Sequence, residues 1–209
     1  MNGKIYAIMS LVPQNGAKYI TTNLGYFANK LNKKNKVLLI DLDFNNPVLC
    51  YHYVKDSVYN IDNLVPLKND LNEDFLLDNI TKTNLGFDIL KGTNIKNKNY
   101  ITAEIVAKIL TLVKKIYTHI FIVIPSDLAI PSVAITLLNS NKFILVLRSN
   151  YANDIKVISF LENMKSFLKD GMTINIIINN KDYNHSLNIS DKISKTDNIN
   201  VNYLGILDY

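Results

Sequence analysis

The sequence predicts an α/β domain built on a doubly wound, mainly parallel sheet flanked by helices. Three observations carry that expectation. Short runs rich in Ile, Val and Leu alternate with longer runs of helical period along the whole chain, the pattern of strands joined by crossover helices. The strand-like runs place apolar residues at consecutive positions, as strands do when both faces of their sheet are covered. No composition shift, repeat or low-complexity linker divides the 209 residues, and 48% hydrophobic residues are enough for one buried core. A single domain over residues 1–209 is therefore expected.

The first strand is expected at Lys4–Ser10, around the apolar run Ile5 to Met9. A helix follows at Tyr19–Asn32, because Ile20, Leu24, Phe27, Ala28 and Leu31 recur at helical spacing and share one face. The second strand is expected at Lys36–Leu42, then a helix at Asn72–Ile80 and a strand at Phe87–Leu90. The helix expected at Thr102–Ile116 has Thr102 to accept from its first free N–H groups, and Ile105, Val106, Ile109, Val113 and Ile116 as its apolar face. After a strand at His119–Ile124, Pro131 suits the first turn of a helix over Pro131–Ser140, where a missing N–H breaks no helical bond. Strands at Lys142–Leu147, Thr173–Ile178 and Val201–Ile206 complete the sheet, with a helix at Asp154–Lys169, an Asn-rich loop at Asn179–Asn188 and a short helix at Ile189–Lys195 between them. Ligands of such a sheet sit beyond the carboxyl ends of its strands.

Composition narrows the functions. Formal charge is +5, from lysines and the single arginine, Arg148. Only Lys30–Lys36 is a dense basic cluster, and it falls at the expected end of the first helix, where cations complement the helix dipole. Nucleic-acid binders concentrate charge and add arginine, so nucleic acid is a disfavoured partner; Arg148 is expected in a surface ion pair. One cysteine, Cys50, forms no internal disulfide, and Cys50, His52, His119 and His185 lack the spacing of a metal centre, so no metal ligands are assigned. With no run of about 18 apolar residues and no signal peptide, the expected location is cytoplasmic, with a peripheral or polar placement left open.

The most informative stretch is Val12–Tyr19, which lies between the first strand and the first helix as a phosphate-binding loop does but lacks that loop's residues. Further on stand Val37-Leu38-Leu39-Ile40-Asp41-Leu42-Asp43, Phe87-Asp88-Ile89-Leu90-Lys91-Gly92, Tyr117-Thr118-His119-Ile120-Phe121-Ile122-Val123-Ile124-Pro125-Ser126, Ile174-Asn175-Ile176-Ile177-Ile178-Asn179-Asn180 and the terminal Leu204-Gly205-Ile206-Leu207-Asp208-Tyr209. In order and spacing these resemble the ParA/MinD superfamily of P-loop ATPases, and most of all its pilus-assembly branch, the CpaE/TadZ type. The resemblance runs nearly end to end and implies a P-loop NTPase fold. It ends at Tyr209, a short C-terminus, and Asn198–Tyr209 lacks the amphipathic moment and basic face of a membrane-surface helix.

Counting back from Asn23 without a gap, the resemblance puts Val12 at the family's signature lysine and Pro13 and Gln14 at two glycines. Gly16 falls on the retained glycine, Ala17 on the phosphate lysine, and Lys18 and Tyr19 on the two hydroxyl positions. A one-residue shift would make Lys18 the phosphate lysine, still with no magnesium hydroxyl beside it. Val123 stands where the Walker B aspartate would be, and the nearby Asp127 reads as a cap. Asp41 and Asp43 match the acidic strand end near the attacking water; the alternative is that they bind local backbone amides. Asn179 matches the adenine-contacting asparagine.

The resemblance thus implies ATP or ADP with Mg²⁺ as cofactor, while the departures make its binding doubtful. Three readings follow. One is a pseudo-ATPase, with or without a homodimer, that scaffolds or localises a pilus or secretion machine through a protein partner. Another is an atypical ATPase using Lys18, and the third a DNA-associated partition factor motivated by the positive charge.

Overall fold

A computed structural model describes residues 2–12, 15–44, 46–49, 53, 59–93, 101–148, 155–169, 171–179 and 200–207. Pro13, Gln14, Cys50, His52, His185, the rest of the Asn-rich loop after Asn179 and the helix expected at Ile189–Lys195 lie outside the described residues.

The elements run in the order β1 (Lys4–Ser10), α1 (Ala17–Leu31), β2 (Val37–Asp41), α2 (Glu73–Asp78), β3 (Thr81–Lys82), β4 (Asp88–Leu90), α3 (Ala103–Ile116), β5 (His119–Ile124), α4 (Pro131–Asn139), β6 (Lys142–Arg148), α5 (Ile155–Met164), β7 (Ile174–Asn179) and β8 (Val201–Leu207). Short 3-10 turns add Ile61–Leu64 and Lys165–Phe167. The strands form one eight-stranded sheet in the order β3-β4-β2-β5-β1-β6-β7-β8. Every pairing is parallel except β3 with β4, so the doubly wound parallel sheet expected from the sequence is the observed fold. The order reverses at β1, whose neighbours are β5 and β6, and this places the loop after β1 at the crevice where ligands of open α/β sheets sit.

Local chemistry explains the helices. Thr102 Oγ1 accepts from Ile105 N at 3.4 Å to start α3, with Glu104 in the first turn and Lys114 and Lys115 in the last, complementing the dipole. Helix α1 has no side-chain cap; Gly16 precedes it at φ 93°, ψ 9°, in the left-handed region that glycine enters most easily. One face of the sheet, through Ile5, Ala7, Leu38, Ile40, Ile122 and Leu145, packs under α3, α4 and α5. Full burial of such side chains stabilises by roughly 1.5–3 kcal/mol each.

The other face departs from expectation. Ala17 and Ile20 of α1 pack onto Ile8, Leu39, Val123 and Val146, but α1 lies over β1, β2 and β5 and not over the far edge of the sheet. Of the helical stripe expected to be buried, only Ile20 is buried; Phe27 is 50% exposed and Leu31 86%. The consecutive apolar residues of the strands implied cover on both faces, yet beside β7 and β8 no described element supplies it on the α1 side. Strand β3 was also not expected, because two residues carry no period of their own and are extended only by pairing with β4.

Candidate functional site

The site gathers at the start of α1, where the carboxyl ends of β1, β2, β5 and β7 converge. Gly16 and Asn179 meet on one side of it. The Nδ2 of Asn179, the last residue of β7, donates to the Asn15 carbonyl at 2.9 Å. A Cβ on Gly16 would lie 2.1 Å from that same Nδ2, so the glycine is required both by its φ and by the side chain packed on it. Asn15 is 1% exposed and Asn179 6%; the Asn15 Nδ2 and the Asn179 Oδ1 are buried without hydrogen-bond partners. Asn15 was not singled out in the sequence, and in a chain so rich in Asn no signal marks it.

On the other side Lys18 meets the end of β2. Its Nζ bonds Asp43 Oδ2 at 2.8 Å and also donates to the Asn46 carbonyl. Both partners of the ion pair are largely covered, with side-chain exposures of 18% and 23%. Asp41, next to them, is fully buried. Its Oδ1 accepts from Asp43 N at 3.1 Å and its Oδ2 from Leu49 N at 2.9 Å, so the carboxylate pins both ends of the turn that follows β2. Burial pushes its pKa up to about 7, against the opposing pull of Lys18 and of the Leu49 N–H. Gly92 closes the back of this turn, since a Cβ there would lie 2.6 Å from the Asp41 carbonyl oxygen.

Three residues lie apart from this polar chemistry. Ala17 is 6% exposed within the apolar cluster of Ile8, Ile20 and Val123. Tyr19, half exposed, lines a groove with Leu24 and Phe27. Val123 pairs with Asp41 across the parallel β2–β5 register and is 2% exposed. The hydroxyls of Thr21 and Thr22 bond back to the Ala17 and Lys18 carbonyls at 2.7 and 3.0 Å.

Elsewhere, Asp127 is not the helix cap expected of it: α4 starts after Ile130 without a side-chain cap, and Asp127 Oδ1 instead accepts from Ala129 N at 3.0 Å in a local turn. Arg148 differs from expectation: among the described residues it forms no ion pair, and its Nε is buried without a hydrogen-bond partner. It stands at the end of β6, paired in register with Asn179. Among the described residues no group of three or more His, Cys, Asp or Glu side chains could hold a metal ion.

No protein-family model and no curated protein matches the sequence. Solved structures do match its fold. A ParA family ATPase from Chlorobium tepidum TLS superposes with a TM-score of 0.81 at 16% identity, over 100% of this chain and 84% of that one. The chain has the fold of the ParA and MinD ATPases. The septum site-determining protein MinD from Pyrococcus horikoshii OT3, complexed with Mg-ADP, is similar with a TM-score of 0.76 at 22% identity, over 99% of this chain and 81% of that one. The MinC:MinD cell division protein complex of Aquifex aeolicus also matches, with a TM-score of 0.72 at 19% identity, over 99% and 81% of the two chains. No helix among the described residues is long and apolar enough to cross a membrane.

Proposed function

We propose that this chain is a pseudo-ATPase on the ParA/MinD fold, a scaffold or localisation factor that acts through a protein partner and does not hydrolyse ATP. The observation that carries this reading is Val123. It occupies the strand position beside Asp41, buried against Ile8, Ala17 and Ile20, where a magnesium-dependent ATPase of this fold would need a carboxylate.

The remaining residues point the same way and do not fit a magnesium nucleotide. Lys18, the one cation at the start of α1, is already engaged by Asp43 and the Asn46 carbonyl, so a phosphate would have to break that ion pair to recruit it. Thr21 and Thr22 are buried, with their hydroxyls donating to the helix backbone. Asp41 serves the turn after β2, which is the local-amide reading of that strand end. Any homodimer would then be nucleotide-independent.

Assignment of the partner to a pilus or secretion machine rests on the resemblance of the motifs at Val37–Asp43, Phe87–Gly92 and Ile174–Asn180 to the CpaE/TadZ type. That a MinD of this fold is found in complex with MinC supports a protein partner in general terms.

Titration of a fluorescent ATP analogue with Mg²⁺ against the protein and its Lys18→Ala variant tests the reading. The expected result is no saturable binding tighter than about 1 mM, or about −4 kcal/mol, for either protein. Tight binding that needs both Mg²⁺ and Lys18 would overturn it in favour of an atypical ATPase. Salt-sensitive binding to arbitrary duplex DNA would instead favour a partition factor.

A further inference from the structure

The end of the sheet opposite the start of α1 concentrates positive charge. In a parallel sheet the strands all begin at that end and the crossover helices finish there. Lys4 and Lys142 begin β1 and β6, Lys36 immediately precedes β2, and Lys30, Lys33 and Lys34 stand in the last turn of α1 and the turn after it. The backbone joins these segments side by side: Lys36 O accepts from Thr118 N at 2.8 Å, Thr118 O from Lys4 N at 2.9 Å, and Asn141 N donates to Ile5 O at 2.8 Å. Three strand spacings separate β2 from β6, so Lys36, Lys4 and Lys142 span about 14 Å. Asn35 Nδ2 donates to the Ala28 carbonyl at 2.7 Å and folds the turn that carries Lys33 and Lys34 against the end of α1.

All of these lysines are exposed, and among the described residues none is in an ion pair. Residues 2–5, 30–37, 117–119 and 139–143, which make up this part of the surface, include no aspartate or glutamate. The helix dipole accounts for Lys30 and its neighbours, but Lys4, Lys36 and Lys142 stand at strand starts, where the sheet has little net dipole to complement. Amid the lysines of the helix end, Leu31 is 86% exposed. An aliphatic side chain in that setting leaves water on entering the headgroup region of a bilayer, and gains nothing against a phosphodiester backbone. The single arginine, Arg148, ends β6 at the opposite end of the sheet, so the planar fork that recognises nucleic-acid phosphates is missing here.

We propose that this end of the molecule rests on an anionic lipid surface, with the lysines among the headgroups and Leu31 inserted at their level. Each lysine within a Debye length of such a surface contributes about fivefold to partitioning. The start of α1 then faces away from the lipid, about 20 Å off across the seven residues of β1. Binding is independent of whether that site holds a nucleotide, so failure of the pseudo-ATPase reading and failure of this one are separately visible.

The test is co-sedimentation of the full chain, without nucleotide, with phosphatidylcholine vesicles containing about 30 mol% phosphatidylglycerol. Saturable binding is expected, absent with pure phosphatidylcholine and weakened about tenfold or more in about 0.5 M salt. Lys33→Glu with Lys34→Glu should weaken it by about 20-fold or more, and Lys142→Glu, on a separate segment, by about fivefold or more. Leu31→Ser, which keeps the charge, should weaken it by about threefold or more. Lys68 pairs with Glu104 in the first turn of α3 and Lys91 follows β4, both toward the other end of the sheet. Lys68→Glu with Lys91→Glu makes the same change in net charge there and should leave binding within about twofold, with circular dichroism unchanged in every variant. Absence of vesicle binding, an equal loss with the Lys68 and Lys91 changes, or no effect of Leu31→Ser would overturn the proposal. Binding to duplex DNA or to polyglutamate that is tighter than to vesicles and insensitive to Leu31→Ser would overturn it in favour of a nucleic acid or an acidic protein.

Discussion

Asp41 and Val123 stand side by side at the same height of the sheet, each within one residue of the end of its strand, and both are buried. The carboxylate has a use within the fold, because two backbone N–H groups of the following turn donate to it and, among the described residues, to no other acceptor. Leu42 N donates to the Val123 carbonyl at 2.8 Å, so β5 meets the same turn with its backbone alone, and the side chain is left to fill space among Ile8, Ala17 and Ile20. The difference teaches that a polar residue at this depth is accounted for by the backbone it serves. Where the backbone needs nothing, an apolar side chain stands.

The sharpest way to break that comparison is Val123→Asp. It puts an unpaired carboxylate into an apolar cluster beside Asp41 and should destabilise the protein by about 3–5 kcal/mol in chemical denaturation. A loss below about 1 kcal/mol would show that the position is wet enough to host a metal-supporting acid after all.

Asp41→Ala comes next. It leaves the N–H groups of Asp43 and Leu49 buried without acceptors, and a loss of about 2–4 kcal/mol is expected by the same measurement. A neutral result would mean that the turn does not depend on the carboxylate.

The pH dependence of Asp41 is a smaller effect with a definite sign. Its carboxyl lies at about 7 in the folded protein, against 3.8 for the unperturbed group, so the folded state holds the proton more tightly than the unfolded one. The resulting stabilisation is complete below the unfolded value and is lost as pH rises through about 7. Between pH 8 and pH 6 the protein should gain about 1 kcal/mol from this group, seen as a rise in Tm. Asp41→Asn should remove that part of the slope; an unchanged slope would assign it to other groups.

The smallest effect is expected at Lys18. Its partly covered ion pair with Asp43 contributes about 0.5–1 kcal/mol, and a double-mutant cycle of Lys18→Ala and Asp43→Ala should return a coupling of that size. No measurable coupling would leave Lys18 available to a phosphate and weaken the pseudo-ATPase reading.

Much of this architecture was legible in the residues. Strands β1, β5, β6 and β7 and helices α1, α3 and α4 fall within a few residues of their expected bounds, because their consecutive apolar runs or helical periods are long enough to signal locally. Strand β3 and the turn Ile61–Leu64 were not, since the first exists only through its partner strand and the second is a single turn closed by Asn60 and Asn63. Gly16 stood out in the sequence, but the side chain that forbids anything larger there belongs to Asn179, far away in the chain. Tyr19 was singled out by its position after Lys18, and only the structure shows that it lines a hollow with Leu24 and Phe27.

By itself the sequence determined the layers of the fold and the absence of a carboxylate at Val123, since both follow from residue identity and local period. Only the tertiary structure decided that Lys18 pairs with Asp43, that Asn179 seals Gly16 and that Phe27 and Leu204 lie open beside each other. Those are contacts between distant parts of the chain, and hydrophobic period sets which face of an element is apolar without setting what, if anything, covers it.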